Sequence, residues 1–171
     1  MKILFLLFAA PSFAASAQTI QGYAFTQYPA QLLTTRKAPL QLASSPLGTT
    51  YRTAIRQQYA TGRINFAGHY ITTLWGAGTG QTLGAMVDVG TGKIYELPLS
   101  EDNSNRGVYH DGNHNIFYQP TSKLFVCYAS AANPASEQQV KLTYYFYKWD
   151  EANRRFQLLA TKKVTTALID D

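Results

Sequence analysis

Val140-Lys-Leu-Thr-Tyr-Tyr-Phe-Tyr-Lys-Trp149 is followed by Asp150-Glu-Ala-Asn153 and then by a second strand-forming run over Phe156 to Val164. Large apolar side chains at Val140, Leu142, Tyr144 and Phe146 recur with a period of two, which places them on one face of a β-strand. Asp and Asn in the intervening tetrad favour a reversal, because their short polar side chains hydrogen-bond to nearby backbone amides. The stretch therefore predicts an antiparallel hairpin with a legible core side.

Working outward, the same punctuation repeats. Asn115 to Gln119 and Leu124 to Ala129 predict a second hairpin, broken at Pro120, which cannot donate to a central ladder. Thr82 to Val89 sets Leu83, Ala85, Val87 and Val89 on one face. Gly90-Thr-Gly92 then predicts a tight reversal into Lys93 to Leu97. Ile64 to Trp75 reads as a further strand, rich in β-branched and aromatic residues. Before it the period changes to four: Tyr51, Ile55 and Tyr59 predict a helix over Thr50 to Ala60, capped by Thr49 or Thr50 and ended by Gly62 in a left-handed conformation. Gln18 to Pro46 reads as an extended lead-in. The expected fold is mainly β: successive antiparallel hairpins forming a curled sheet, barrel or incomplete propeller, with one short N-terminal helix.

The first residues predict export. Lys2, the apolar run Ile3 to Ala10 and Ala15-Ser16-Ala17 have the order of a cleavable secretory signal, and the apolar run is too short to span a bilayer. Residues 1–17 are expected to be a signal peptide and 18–171 a single β-rich domain, working in the periplasm or beyond it. Hydrophobic residues make up 46% of the chain and charged ones only 15%, which excludes a disordered, highly solvated protein. The net charge of +5 is dispersed, with cations at most in pairs (Arg36-Lys37, Arg154-Arg155, Lys162-Lys163). Nucleic-acid binding needs a contiguous basic patch, so no nucleic-acid partner is expected. Cys127, the sole cysteine, excludes an intramolecular disulfide and sits among strand formers as a small buried hydrophobe.

Asn65-Phe-Ala-Gly-His-Tyr70, Trp75-Gly-Ala-Gly-Thr-Gly80 and Met86-Val-Asp-Val-Gly-Thr-Gly-Lys-Ile-Tyr95 together resemble a group of small exported bacterial proteins with this block order, most without an assigned role. The resemblance covers roughly residues 50 to 100 and the segment Tyr144 to Trp149. In those proteins the glycine-rich stretch often carries two cysteines where this chain has Ala77 and Gln81, so the staple they imply is missing here. In size, β-content and compartment the chain is also similar to periplasmic immunity proteins that bacteria keep against cell-wall-cutting toxins. That likeness rests on fold class and not on a motif.

Four features are candidates for chemistry. Trp75 to Gly80 lacks the Lys-Ser/Thr pair and following helix of a phosphate-binding loop and reads as a hairpin connection. Asp88 precedes the Gly-Thr-Gly turn, where a carboxylate accepts backbone amides. His69 lies within a strand pattern, with no serine or thiol tied to it. The fourth is the polar segment Ser100-Glu-Asp-Asn-Ser-Asn-Arg-Gly-Val-Tyr-His-Asp-Gly-Asn-His114. His110, Asp111 and His114 carry metal-ligating atoms, yet the i,i+4 histidine spacing converges only on a helix, and Gly112-Asn113 oppose one. Neither metal nor cofactor is expected.

A long polar loop on a rigid β scaffold is where recognition residues collect. Ser104, Asn105, Arg106, Tyr109, His110, Asp111, Asn113 and His114 are accordingly expected to contact a protein partner. The resulting expectation is a non-enzymatic immunity or inhibitor protein that inserts this loop into the active site of a peptidoglycan-hydrolysing toxin. The alternatives are an exported hydrolase pairing His69 with Asp88, Asp102 or Asp111, and an envelope glycan binder stacking sugars on Tyr145, Tyr147 and Trp149.

Overall fold

The computed structural model describes residues 18–78, 80–105, 107 and 115–168. The expected signal peptide, residues 1–17, lies outside them. Among the described residues, antiparallel pairing accounts for every named strand, and no helix is long and apolar enough to cross a membrane.

The lead-in forms a small hairpin, β1 (Thr19–Ile20) with β2 (Tyr23–Ala24), turned by Gln21 and Gly22 at positive φ. Two consecutive helices follow, α1 (Pro46–Thr50) and α2 (Arg52–Thr61). Ser45 caps α1 by accepting from the Leu47 amide, and Pro46 fills the first position, where no donor is needed. Neither Thr49 nor Thr50 caps α2, because the chain is already helical there. Ile55 and Tyr59 on α2 are buried as the four-residue period requires. Gly62 does not turn left-handed; its φ of −70° is extended. The Lys37 ammonium closes the helix instead, donating to the carbonyls of Tyr59, Ala60 and Gly62.

β3 (Tyr70–Gly76), β4 (Thr82–Asp88) and β5 (Ile94–Glu96) form a three-stranded meander, with Val87 opposite Ile71 and Ile94. One side of it packs Ile71, Ala85, Val87 and Ile94 on α2. The strand expected from Ile64 starts only at Tyr70; the residues before it form a tight turn, described below. A short helix, α3 (Glu101–Ser104), follows β5.

β6 (Ile116–Tyr118), β7 (Leu124–Ala132), β8 (Gln139–Asp150) and β9 (Arg155–Ala167) join the two expected hairpins into one four-stranded sheet in sequence order. Val140, Leu142 and Phe146 are buried on the face read from the sequence. A bulge sets Phe146 opposite Ala160 but Tyr147 opposite Leu158, adding Leu159 to the outer strand. The main core joins the two larger sheets: Tyr70 and Met86 from the first meet Phe125, Cys127 and Trp149 from the second. Both sheets are open, so the curled-sheet alternative describes the molecule and the closed barrel does not.

Candidate functional site

Asn65-Phe-Ala-Gly-His-Tyr70 builds one side of the site. Phe66 and Tyr70 exchange backbone hydrogen bonds of 3.2 and 3.0 Å around a reversal in which Ala67 (φ 45°) and Gly68 (φ 84°) are both left-handed. The Ala67 and Gly68 amides donate to the carbonyls of Ser122 and Pro120, so this turn plugs into the turn between β6 and β7. Glycine is required at 68: a Cβ there would lie 2.1 Å from the Gln31 carbonyl oxygen. The Asn65 carboxamide accepts from the Thr72 amide at 2.8 Å and braces the turn against β3.

The turn delivers Tyr70 to the hairpin end of β8 and β9. Its hydroxyl donates to Glu151 Oε1 at 2.9 Å and accepts from Trp149 Nε1 at 3.2 Å and Arg154 Nη1 at 2.8 Å. Glu151 also accepts from Trp149 Nε1 at 2.7 Å and pairs with the Arg154 guanidinium. Burial, reinforced by the adjoining Glu151 carboxylate, pushes the Tyr70 hydroxyl well above its ordinary pKa. It therefore stays a neutral phenol and holds three partners together. His69 is half-buried, with Nε2 3.4 Å from Glu151 Oε1 and its ring 4.2 Å from that of Tyr70.

The carboxylate near His69 is thus Glu151, which lies in a turn and was not among those expected. Asp88 is committed elsewhere, accepting from the Gly90 amide and the Thr91 hydroxyl, both at 2.8 Å. Cys127 is fully buried and burial pushes its thiol pKa far up, so it is a core side chain. Trp149 is only 1% exposed and its indole N–H is engaged, so the expectation that Tyr145, Tyr147 and Trp149 form one open stacking face is corrected: the first sheet covers Trp149.

Beside this cluster a cleft of about 520 Å³ opens between the outer edge of β5 and the start of β9. Tyr95 and Glu96 form one wall, Arg154, Arg155 and Phe156 the other, with Trp149 and Tyr147 beneath. α3 closes one end. Asn103 accepts from the Ser100 amide and donates to the Pro98 carbonyl and the Tyr147 hydroxyl, which fixes that helix to the cleft.

Of the expected partner contacts, Ser104 is fully buried and its hydroxyl donates to the carbonyls of Thr82 and Ser100. It anchors α3 and cannot touch a partner, which corrects that expectation. Asn105 is half-buried; its carbonyl accepts from the Ser130 amide and its side chain from the Gly107 amide. Arg106, Tyr109, His110, Asp111, Asn113 and His114 lie outside the described residues. At the far end Asn115, which sequence reasoning missed, is buried and donates to the carbonyls of Ser104 at 2.8 Å and Tyr128 at 2.9 Å. Among the described residues no group of three His, Cys, Asp or Glu could hold a metal ion. No known protein-family model matches the chain, and neither does any curated protein or solved structure.

Proposed function

We propose that this chain is an exported, non-enzymatic binding protein of the periplasm, and specifically an immunity protein that blocks a peptidoglycan-hydrolysing toxin with the 105–114 segment. The observation that carries this reading is the pinning of both ends of that segment. Asn105 is tied to β7 through Ser130, and Asn115 bridges the Ser104 and Tyr128 carbonyls across the base. A polar segment whose ends are both held by hydrogen bonds, Asn105 half-buried and Asn115 buried, pays less ordering entropy when it docks, which is what an inhibitory loop needs.

The His69 neighbourhood favours binding over acid–base chemistry. Glu151 already accepts from Trp149 and Tyr70 and pairs with Arg154, so it is a structural anion rather than a base kept free for substrate. The test is capture of envelope proteins from neighbouring strains on the immobilised exported protein, with hydrolase activity measured in the complex. Stoichiometric capture of a cell-wall hydrolase and loss of its activity are expected. Replacing Arg106, Tyr109 and His110 together by Ala should weaken that complex by about 2 kcal/mol or more while leaving the fold intact. Undiminished binding in the triple variant removes the loop from the mechanism.

A further inference from the structure

The cleft beside Arg154 is bounded by two sheet edges. β5 is the outer strand of its sheet and β9 the outer strand of the other. The Leu97 amide donates to Gly84, so the ladder's alternation turns the N–H and C=O of Glu96 away from β4. The Ile94 amide, next on that outer side, finds the Ser44 hydroxyl. On the other wall, the Trp149 amide donates to Lys123, so Trp149 faces β7 and its register partner Phe156 turns its N–H and C=O outward from β9. Both walls thus offer backbone donors and acceptors to an extended chain.

The side chains supply a direction. Arg154 holds a left-handed φ of 52° directly after the Asp150 to Asn153 turn, a position that glycine would occupy without strain. The penalty places a guanidinium over the Tyr95 ring at 5.9 Å, on the rim of the cleft. Arg155 follows. It stands opposite Asp150 in register and its charge helps hold that carboxyl ionised, but the Asp150 oxygens accept their hydrogen bonds from Ala152 and Asn153. Among the described residues Arg155 makes no ion pair within 4.0 Å and keeps its donors for a further carboxylate. Glu151 is matched internally by Arg154. The β9 wall is therefore the cationic one, with Glu96 as the lone carboxylate on the wall across from it.

We propose that this cleft binds an extended segment of a protein partner, adding it as a strand along the outer edge of β9, with an acidic side chain of the segment set against Arg155. The proposal rests on the binding-protein reading and names a second contact for the same partner. Charge complementarity selects an acidic segment over a basic one, and the unpaired edges select an extended backbone over a helix.

The probe is acetyl-Thr-Val-Asp-Val-Thr-amide, titrated into the isotopically labelled exported protein and followed by amide chemical shifts. Shifts are expected at Glu96 and at Phe156 to Leu158. The same peptide with Lys for Asp should bind about fivefold more weakly. N-methylation of the central amide should cost about tenfold by removing a ladder donor. Arg155→Glu should abolish or reverse the preference for Asp. No shift at those amides at millimolar peptide, or equal affinity for the Asp and Lys peptides, overturns the proposal. A positive titration without hydrolase capture would sink the immunity reading alone; hydrolase capture with a silent cleft would sink the strand-addition site alone.

Discussion

Ala67 and Arg154 both hold a left-handed backbone beside the Tyr70 cluster, at φ 45° and 52°, and their surroundings differ completely. Ala67 is 2% exposed and its amide is spent on Ser122. The Arg154 side chain is 42% exposed and reaches from the rim of a cleft. Each conformation costs on the order of 1 kcal/mol for a residue with a Cβ. In the first turn the strain is repaid by locking one sheet to the other; in the second it positions a charge at the surface. One of these turns is architecture, and the other leaves a charged side chain open to the surface.

Substitution separates the two uses. Gly68→Ala places a methyl 2.1 Å from the Gln31 carbonyl at a φ of 84°, so it should lower stability by about 3 kcal/mol or more in urea unfolding. Arg154→Gly relieves the strained backbone and gives up the Glu151 contact, so its stability should stay within about 1 kcal/mol of the parent. Equal losses for the two variants would break the distinction between the turns.

Tyr70 joins them, and its removal measures the joint. Tyr70→Phe keeps the ring packed and deletes the hydroxyl shared by Trp149, Glu151 and Arg154. A loss of about 1–2 kcal/mol is expected, because Trp149 retains Glu151 as an acceptor. In a double-mutant cycle with Arg154→Ala the coupling should be about 1 kcal/mol. Additive effects would mean that the hydroxyl and the guanidinium are independent. A parallel loss of about 1–3 kcal/mol is expected for Asn115→Ala, which frees two buried carbonyls at the base of the loop. That variant should also weaken capture of the hydrolase if the pinned feet matter to binding.

Legibility in the sequence followed the range of the interactions. The strands were readable because Val140, Leu142 and Phe146 announce their face locally, and the α2 stripe of Ile55 and Tyr59 does the same with a period of four. The strand read from Ile64 was misplaced because Phe66 and Tyr70 look like strand residues, while the feature that breaks the strand is the positive φ of Ala67 and Gly68. Gly68 alone hinted at it. The end of α2 was misread for a similar reason: Gly62 looks like a left-handed cap, but Lys37, well upstream, satisfies those carbonyls. The Tyr70 cluster was invisible because its partners are about eighty residues away in the chain. One signal was available: Arg154 stands where a hairpin turn calls for glycine, and a costly residue at such a place asks for a reason.

The smallest expected effect tests whether the Arg154 turn is held from within. Asp150 Oδ1 accepts from the Ala152 and Asn153 amides and Oδ2 from the Asn153 side chain, at 3.1, 3.2 and 2.7 Å. These bonds, with the Asn153 side chain first and Arg155 assisting, hold the Asp150 carboxyl below its ordinary pKa. A carboxyl depressed in the folded state adds stability that is complete above its unfolded pKa and is lost as pH falls through the folded one. The stability gap between the parent and Asp150→Ala should therefore be constant near neutrality and shrink as pH drops below about 4. The chemical shifts of Arg154 and Arg155 should move over the same interval. A gap that does not change down to about pH 2 would mean that the turn keeps Arg154 left-handed without Asp150, leaving the Tyr70 hydroxyl and Glu151 as the groups that hold the guanidinium at the cleft.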